Sequence, residues 1–337
     1  MDICICGAQV PFVLGGAELA TERLVTALRD HGHRAELVRL PSAWDRERIF
    51  DAALAWRLVP IDADLVIATN FPSYFVRHPR KIVWLFHQHR AAYDGFGGPW
   101  SDFDDSEESL TAQRLLTEWD SRALAEASSI CTISEVVADR LHRFNGLRSE
   151  ALYHPPPLFE ALHDGPFGDY ILCPTRLEGN KRPQLGVEAL AHTDADLRLV
   201  LAGNGSLAPA LDELAVREGV RDRLERPGFV ADDVLVELFA GALAVLYAPF
   251  DEDYGYVTLQ AFAAGKPVVT TVDAGGVLEW VEDGVTGIVT DPTPEALGAA
   301  MSRLAADPAW AEKLGAAGRE RVAGLSWDPV VERLTRG

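Results

Sequence analysis

Several stretches of the 337-residue chain put charges or glycines where an apolar run gives way to a helical pattern. Arg176 and Lys181 flank Leu177-Glu178-Gly179-Asn180, directly after the run 170–175. Two fixed cations at the carboxyl end of a strand suit a diphosphate, the guanidinium as a fork and the ammonium as a point charge. A solvated loop with ordinary salt bridges would have the same composition. Further on, Asp251, Glu252 and Asp253 crowd a loop between Tyr247-Ala248-Pro249-Phe250 and a helix that begins near Tyr256, with Gly255 between. Three adjacent carboxylates are costly to desolvate together, so some must face solvent or a ligand. The backbone N–H groups opening that helix offer an anion a partner. Glycine turns recur in the same position relative to strands: Gly15-Gly16, Gly203-Asn204-Gly205 and Gly275-Gly276. With Ala208, the second of these mimics the dinucleotide fingerprint G-x-G-x-x-A. It lies in a second half-domain, however, and the acid about 20 positions on, Glu225, sits beside Arg223 and Arg226, poorly poised for a ribose. A loop that approaches a nucleotide closely is the reading that survives.

The elements that must position these residues alternate in type. Asp2 to Gly7 is a continuous apolar run ending in glycine, as in a buried parallel strand. A glycine turn over Val13–Glu18 follows, then Ala20, Leu24, Ala27 and Leu28 at helical spacing. Further strands are expected over 35–40, 64–69, 81–86 and 129–133, with a long polar loop over 91–109 and a helix over 110–127. Pro155-Pro156-Pro157 breaks the pattern, because three prolines fit neither a helix nor a central strand. Alternation then restarts, with strands over 170–175, 197–202, 226–229, 244–247 and 267–271. Helices are expected over 183–191, 207–218, 232–240 and 256–264. The expected fold class is α/β, with two Rossmann-like parallel-sheet domains, residues 1–157 and 158–326, whose strand ends face a central cleft.

Composition narrows the function classes. Lys and Arg total 31 against 51 Asp and Glu, a net charge of −20. Such a chain is a poor general binder of nucleic acid or anionic lipid. A local basic patch is conceivable at Arg77, Arg80, Lys81 and Arg90, interleaved with His78, His87 and His89. Cys4, Cys6, Cys131 and Cys173 lie in apolar runs and read as small buried residues, and no metal-ligand spacing accompanies them. No apolar run approaches the ~18–20 residues that span a bilayer, and the N-terminus lacks a basic leader, so a cytoplasmic location is expected.

Taken in order, these pieces resemble the retaining glycosyltransferases of family 4, the group 1 glycosyl transferases, with the GT-B fold. The resemblance rests on Gly15-Gly16-Ala17-Glu18, a strand ending in His87, Arg176 with Lys181, Gly203-x-Gly205 and Glu252-x-Tyr254-Gly255. Gly265-Lys266-Pro267-Val268-Val269 and Gly275-Gly276 complete it. It covers essentially the whole chain. By position, it implies catalytic roles for four residues. His87 would hydrogen-bond the donor sugar beside the anomeric centre, with His89 as the competing position. Glu252 would hold sugar hydroxyls, and Arg176 and Lys181 would neutralise the diphosphate. It further implies donor binding by Gly15, Gly16, Gly203, Gly205, Val230, Gly255, Tyr256, Val257, Gln260, Gly275 and Gly276. Val230 would meet the base through its backbone, and the Tyr256 and Val257 amides the β-phosphate. A C-terminal segment, 327–337, would pack back on the first domain. One departure stands out: the family's Glu, seven residues, Glu is here completed by Gln260.

The resemblance implies transfer of a sugar from a nucleotide diphosphosugar, with a UDP-sugar favoured and GDP-mannose second. No metal and no cofactor beyond the co-substrate would be needed. The acceptor is expected to be a sugar, a lipid-linked or a small-molecule compound. A nucleotide-sugar epimerase of the same fold, or a catalytically weak nucleotide-binding relative, is the alternative. Gln keeps one carbonyl acceptor where Glu has two charged ones. On that ground Gln260→Glu is expected to tighten nucleotide binding a few-fold.

Overall fold

The computed structural model describes residues 1–12, 15–42, 44–193 and 196–336. Of the glycine turn expected over 13–18, Val13 and Leu14 lie outside the described residues. The chain divides into two compact units, residues 1–154 with 326–337, and residues 155–325.

The first unit opens with β1 (Asp2–Gln9), α1 (Gly16–Asp30), β2 (Arg34–Pro41), α2 (Ile49–Leu58) and β3 (Leu65–Ala68). It continues with β4 (Lys81–Leu85), α3 (Glu107–Ala125), β5 (Ser129–Thr132), α4 (Glu135–Asn145) and the short β6 (Glu150–Ala151). The strands form one parallel sheet in the order β2-β1-β3-β4-β5-β6. Residues 3–8 of β1 and all of β3 and β4 are buried, which is why these strands read as unbroken apolar runs. Helix α3 begins at Glu107, three residues before the expected Leu110, because Ser106 caps it by accepting from the Ser109 N–H at 3.2 Å.

The second unit holds β7 (Tyr170–Pro174), α5 (Pro183–Ala191), β8 (Arg198–Ala202), α6 (Ala208–Arg217) and β9 (Leu224–Gly228). It continues with α7 (Asp232–Gly241), β10 (Ala244–Leu246), α8 (Tyr256–Ala263), β11 (Val268–Thr271), β12 (Gly287–Thr290), α9 (Pro294–Ala306) and α10 (Pro308–Val322). Its parallel sheet runs β12-β11-β10-β7-β8-β9, over a core that includes Ile171, Leu199, Leu201, Leu246, Val269 and Leu304. Strand β9 starts two residues before the expected Arg226 and is irregularly registered on β8 between Val200 and Ala202.

Helix α11 (Asp328–Arg336) belongs to the first unit, where it buries Val330, Val331 and Leu334. Asp328 lies 3.2 Å from His31, the C-cap of α1, Arg333 bonds Glu150 at 3.2 Å, and the Trp327 ring sits 6.1 Å from Trp84. All four cysteines are free and buried.

The basic patch does not form around Lys81. That side chain is buried, and its Nζ donates to the carbonyls of Tyr74, Val76 and Ala123 at 2.8–3.2 Å. Burial pushes its pKa down to about 8 against the pull of Glu126. Arg90 turns to Asp94 at 3.2 Å. A lysine at the start of a central strand is drawn under the sheet by three inward carbonyls, a preference invisible in the sequence.

Candidate active site

The strand ends of the second unit gather most of the expected donor-site residues. Beyond β7 the chain makes a single tight turn over Gly179–Lys181, and the Lys181 ammonium bonds Oε2 of Glu252. The Tyr247 hydroxyl donates to the same oxygen at 2.7 Å. Burial alone would raise the Glu252 pKa, but the Lys181 charge and these hydrogen bonds hold it below the usual range, so the carboxylate is ionised at neutral pH. Arg176 is exposed, and its guanidinium makes no hydrogen bond or ion pair among the described residues. This leaves its fork open to an anion.

The Glu252 backbone is fixed as firmly as its side chain. Its N–H donates to Ala274 at 3.2 Å, and its carbonyl accepts from Gly276 at 2.7 Å. Gly275 has φ +63°, and a Cβ there would lie 2.6 Å from the Glu252 carbonyl. Only glycine lets the two loops approach this closely.

Gly203 and Gly205 serve a similar contact with the β7 loop. A Cβ at Gly203 would fall 2.0 Å from the Thr175 carbonyl and one at Gly205 2.3 Å from that of Leu177. Asn204 accepts from the Leu177 N–H at 2.9 Å, and Gly203 donates to Gly228 at 2.8 Å, which places Phe229 and the half-buried Val230 at the same end of the sheet. Glu178 accepts from the Ser206 N–H and hydroxyl at 3.0 and 2.7 Å. It thereby cross-links the two loops.

Helix α8 starts after Gly255, at φ +82°, with no side-chain cap and no acid in its first turn. The N–H groups at a helix start have no carbonyl one turn earlier, so Tyr256 and Val257 open the helix with its positive end uncompensated by the helix's own side chains. Gln260 lies on this helix, 8% exposed, and its Nε2 donates to the Pro157 carbonyl at 3.0 Å. This bond bears on the expectation for Gln260→Glu. A carboxylate could not donate to Pro157, and two acceptors would face each other.

Sequence reasoning missed Arg182. Its Nη1 and Nη2 grip both oxygens of Asp273 at 2.8 and 2.7 Å. Nε donates to Ala248 at 2.9 Å, and Nη2 also reaches Pro249 at 2.8 Å and Thr271 Oγ1 at 2.9 Å. The sequence signal was there: a second cation beside Lys181, just before a proline that starts a helix.

In the first unit, Gly15 is the N-cap of α1, its N–H donating to Glu18 at 2.9 Å, and Gly16 is the first helical residue. His87 follows the end of β4, half-buried, with Nδ1 2.8 Å from the Gln88 carbonyl. His89 is buried, and burial pushes its pKa down to about 4. Trp44, which the sequence did not single out, stacks on His89 with ring centres 5.8 Å apart and lies 5.9 Å from His87. Of the two histidines, His87 is the more accessible.

Two parallel-sheet α/β units with these turns define the GT-B class of fold. Sucrose-phosphate synthase from Thermosynechococcus elongatus superposes with a TM-score of 0.80 at 18% identity, over 100% of this chain and 98% of that one. HepE of Anabaena, solved in complex with UDP and glucose, gives 0.75 at 17% identity, over 100% and 99%. Residues 167–321, within the second unit, match the family model described as "Glycosyl transferases group 1". Among sequence relatives, alpha-D-kanosaminyltransferase of Streptomyces kanamyceticus is 33% identical over 159 residues, 45% of this chain and 40% of that protein. A D-inositol 3-phosphate glycosyltransferase of Thermobifida fusca is 35% identical over 147 residues, 41% and 33% of the two chains. The matches thus span well under half of these relatives' own length.

Proposed function

We propose that the protein is a retaining glycosyltransferase of family 4 that moves a sugar from a nucleotide diphosphosugar to an acceptor. One observation carries the reading. Lys181, the ionised Glu252, the open fork of Arg176 and the uncapped start of α8 all belong to loops at the carboxyl ends of one sheet. As the bond from the anomeric carbon to the phosphate oxygen breaks, negative charge builds on the diphosphate. Arg176, Lys181 and the Tyr256 and Val257 amides stabilise that charge, and the two cations let the reaction run without a divalent metal. Lys181 has three donors, enough to keep Glu252 and reach a phosphate oxygen, while Glu252 accepts from donor-sugar hydroxyls. His87 hydrogen-bonds the sugar near the anomeric carbon. Retention follows from front-face attack, in which the acceptor oxygen bonds the anomeric carbon and its proton passes to the leaving phosphate oxygen.

A UDP-sugar is the first choice of donor, supported by the UDP and glucose named for the HepE structure, and GDP-mannose the second. The first unit would take the acceptor, a sugar, a lipid-linked or a small-molecule compound, and not a nucleic acid. No helix of the described residues is long and apolar enough to cross a membrane. We place the reaction in the cytoplasm, where four free buried cysteines remain reduced. Incubating the chain with a panel of nucleotide sugars, with and without candidate acceptors, tests the proposal. Release of UDP or GDP supports it. Appearance of an epimerised donor identifies an epimerase, and binding without turnover a nucleotide-binding relative.

A further inference from the structure

We propose that Arg182 is a positioning residue for the donor site: its guanidinium ties the ends of β10 and β11 together, so that the loop bearing Glu252 and the Gly275-Gly276 turn stay in register. The inference deepens the reading of this site as one for a nucleotide diphosphosugar. Arg182 is 11% exposed at its side chain and Asp273 29%, so the pair is largely withdrawn from water. All three guanidinium nitrogens are committed, to two backbone carbonyls just beyond β10 and to Thr271 and Asp273 at the end of β11. Thr271 Oγ1 also donates to Asp273 at 2.8 Å, closing the network.

The strands themselves share few pairs here: the β10–β11 register runs only over Val245–Val268 and Leu246–Val269. Beyond them, the backbone bonds between the two loops are Asp251 to Asp273 at 2.9 Å, Glu252 to Ala274 at 3.2 Å and Gly276 to Glu252 at 2.7 Å. Arg182 spans the gap between the strand pairing and these loop bonds. Its own backbone is unusual for the purpose, with φ +48°, a left-handed conformation at a residue that is not glycine. That turn sends Lys181 to Glu252 and Arg182 to the strand ends, so adjacent cations secure two sides of one carboxylate loop. Lysine has the charge but not the fork and could not reproduce these contacts.

The test uses the full chain as Arg182→Lys and Asp273→Asn, singly and together, followed by amide hydrogen exchange and by titration with UDP and GDP. Each single variant should speed exchange at the Glu252 and Gly276 amides by roughly tenfold or more while leaving Leu172 and Val200 in the central strands unchanged. UDP or GDP affinity should fall roughly 5- to 30-fold, and the double variant should be no worse than the weaker-binding single. Unchanged exchange at Glu252 and Gly276 would overturn the inference. So would a uniform rise across the whole sheet with nucleotide affinity intact, which is the behaviour of a merely structural pair. If the unmodified chain binds neither nucleotide, the nucleotide-sugar reading fails, while the exchange pattern still decides whether Arg182 orders these loops.

Discussion

Lys181 and Gln260 show how much the chemistry of a single side chain depends on what it meets. Lys181 bonds an ionised carboxylate, so its removal leaves Glu252 without its counter-charge and, in the proposed donor site, would strip positive charge from the leaving group. Lys181→Ala is expected to cost about 2–4 kcal/mol of transition-state stabilisation, roughly 30- to 1000-fold in kcat/KM, measured as nucleotide release. A loss below about threefold would refute the assignment. Gln260 is subtler. From its residue type alone, Gln260→Glu would add a charged acceptor for a ribose hydroxyl. In the structure its amide donates to Pro157, a bond that glutamate cannot make. The expected outcome is therefore a loss of about 1–3 kcal/mol in stability and no gain in nucleotide affinity. Thermal denaturation and calorimetric titration of the two forms check it, and a few-fold tightening without destabilisation would restore the simpler expectation.

The elements of the second unit work by close backbone approach. The 203–205 turn can lie against the loop after β7 only because neither glycine carries a Cβ. At Gly205 an added methyl would meet the Leu177 carbonyl oxygen, carbon and nitrogen at 2.3, 2.5 and 2.7 Å. Backbone cannot swing aside as a side chain can, so Gly205→Ala should cost about 1–3 kcal/mol and displace the loop that carries Arg176. A lowered thermal midpoint together with weaker UDP binding is the expected result. Wild-type values of both would mean that the loops separate freely.

At the scale of the whole molecule, buried ionisable groups of the first unit, among them Asp120, His89 and His154, shape its response to pH between about 4 and 8. Asp120 is fully buried; its Oδ2 accepts from the Tyr93 hydroxyl at 2.6 Å, and burial pushes its pKa up to about 7 against the pull of the Tyr93 and Tyr74 hydroxyls. The folded state then binds the Asp120 proton more tightly than the unfolded chain, so this group's contribution to stability falls as pH rises from about 4 to 7 and stays low above. His89 and His154 do the opposite. Burial pushes them down to about 4 and about 3, so stability falls as acid protonates the unfolded chain below pH 6.5. From these three groups, stability should decline from neutrality toward about pH 4. At pH 8 Asp120→Asn should be the more stable form, by up to about 4 kcal/mol, with the difference fading toward pH 4. Denaturant titrations at pH 4, 6 and 8 measure this, and a variant less stable than the parent at pH 8 would contradict it. Turnover, for its part, should survive EDTA, because under the proposed mechanism Arg176 and Lys181 would supply the charge a metal would. Complete loss restored by Mn²⁺ or Mg²⁺ would require a different account of leaving-group stabilisation.

Much of the order of strands and helices was legible in the chain because it is a local matter, although α2, α4, α9, α10, β6 and β12 went unread. A strand buried on both faces must be apolar throughout, as in β1, and a helix must repeat its apolar face, as in α1. The glycine turns of the proposed donor site were legible as turns for a related reason, since they punctuate the passage from strand to helix. Partners were another matter, because they are fixed across long stretches of sequence. Lys81 looks like surface charge until its ammonium is found beneath three carbonyls, one of them 42 residues away. Arg182 looks like a spare cation until it meets Asp273, 91 residues on. Gln260 looks like a weakened acceptor until it meets Pro157, 103 residues back. Residue type sets what a side chain can donate, accept or neutralise; the packing of distant segments decides which of those capacities is used.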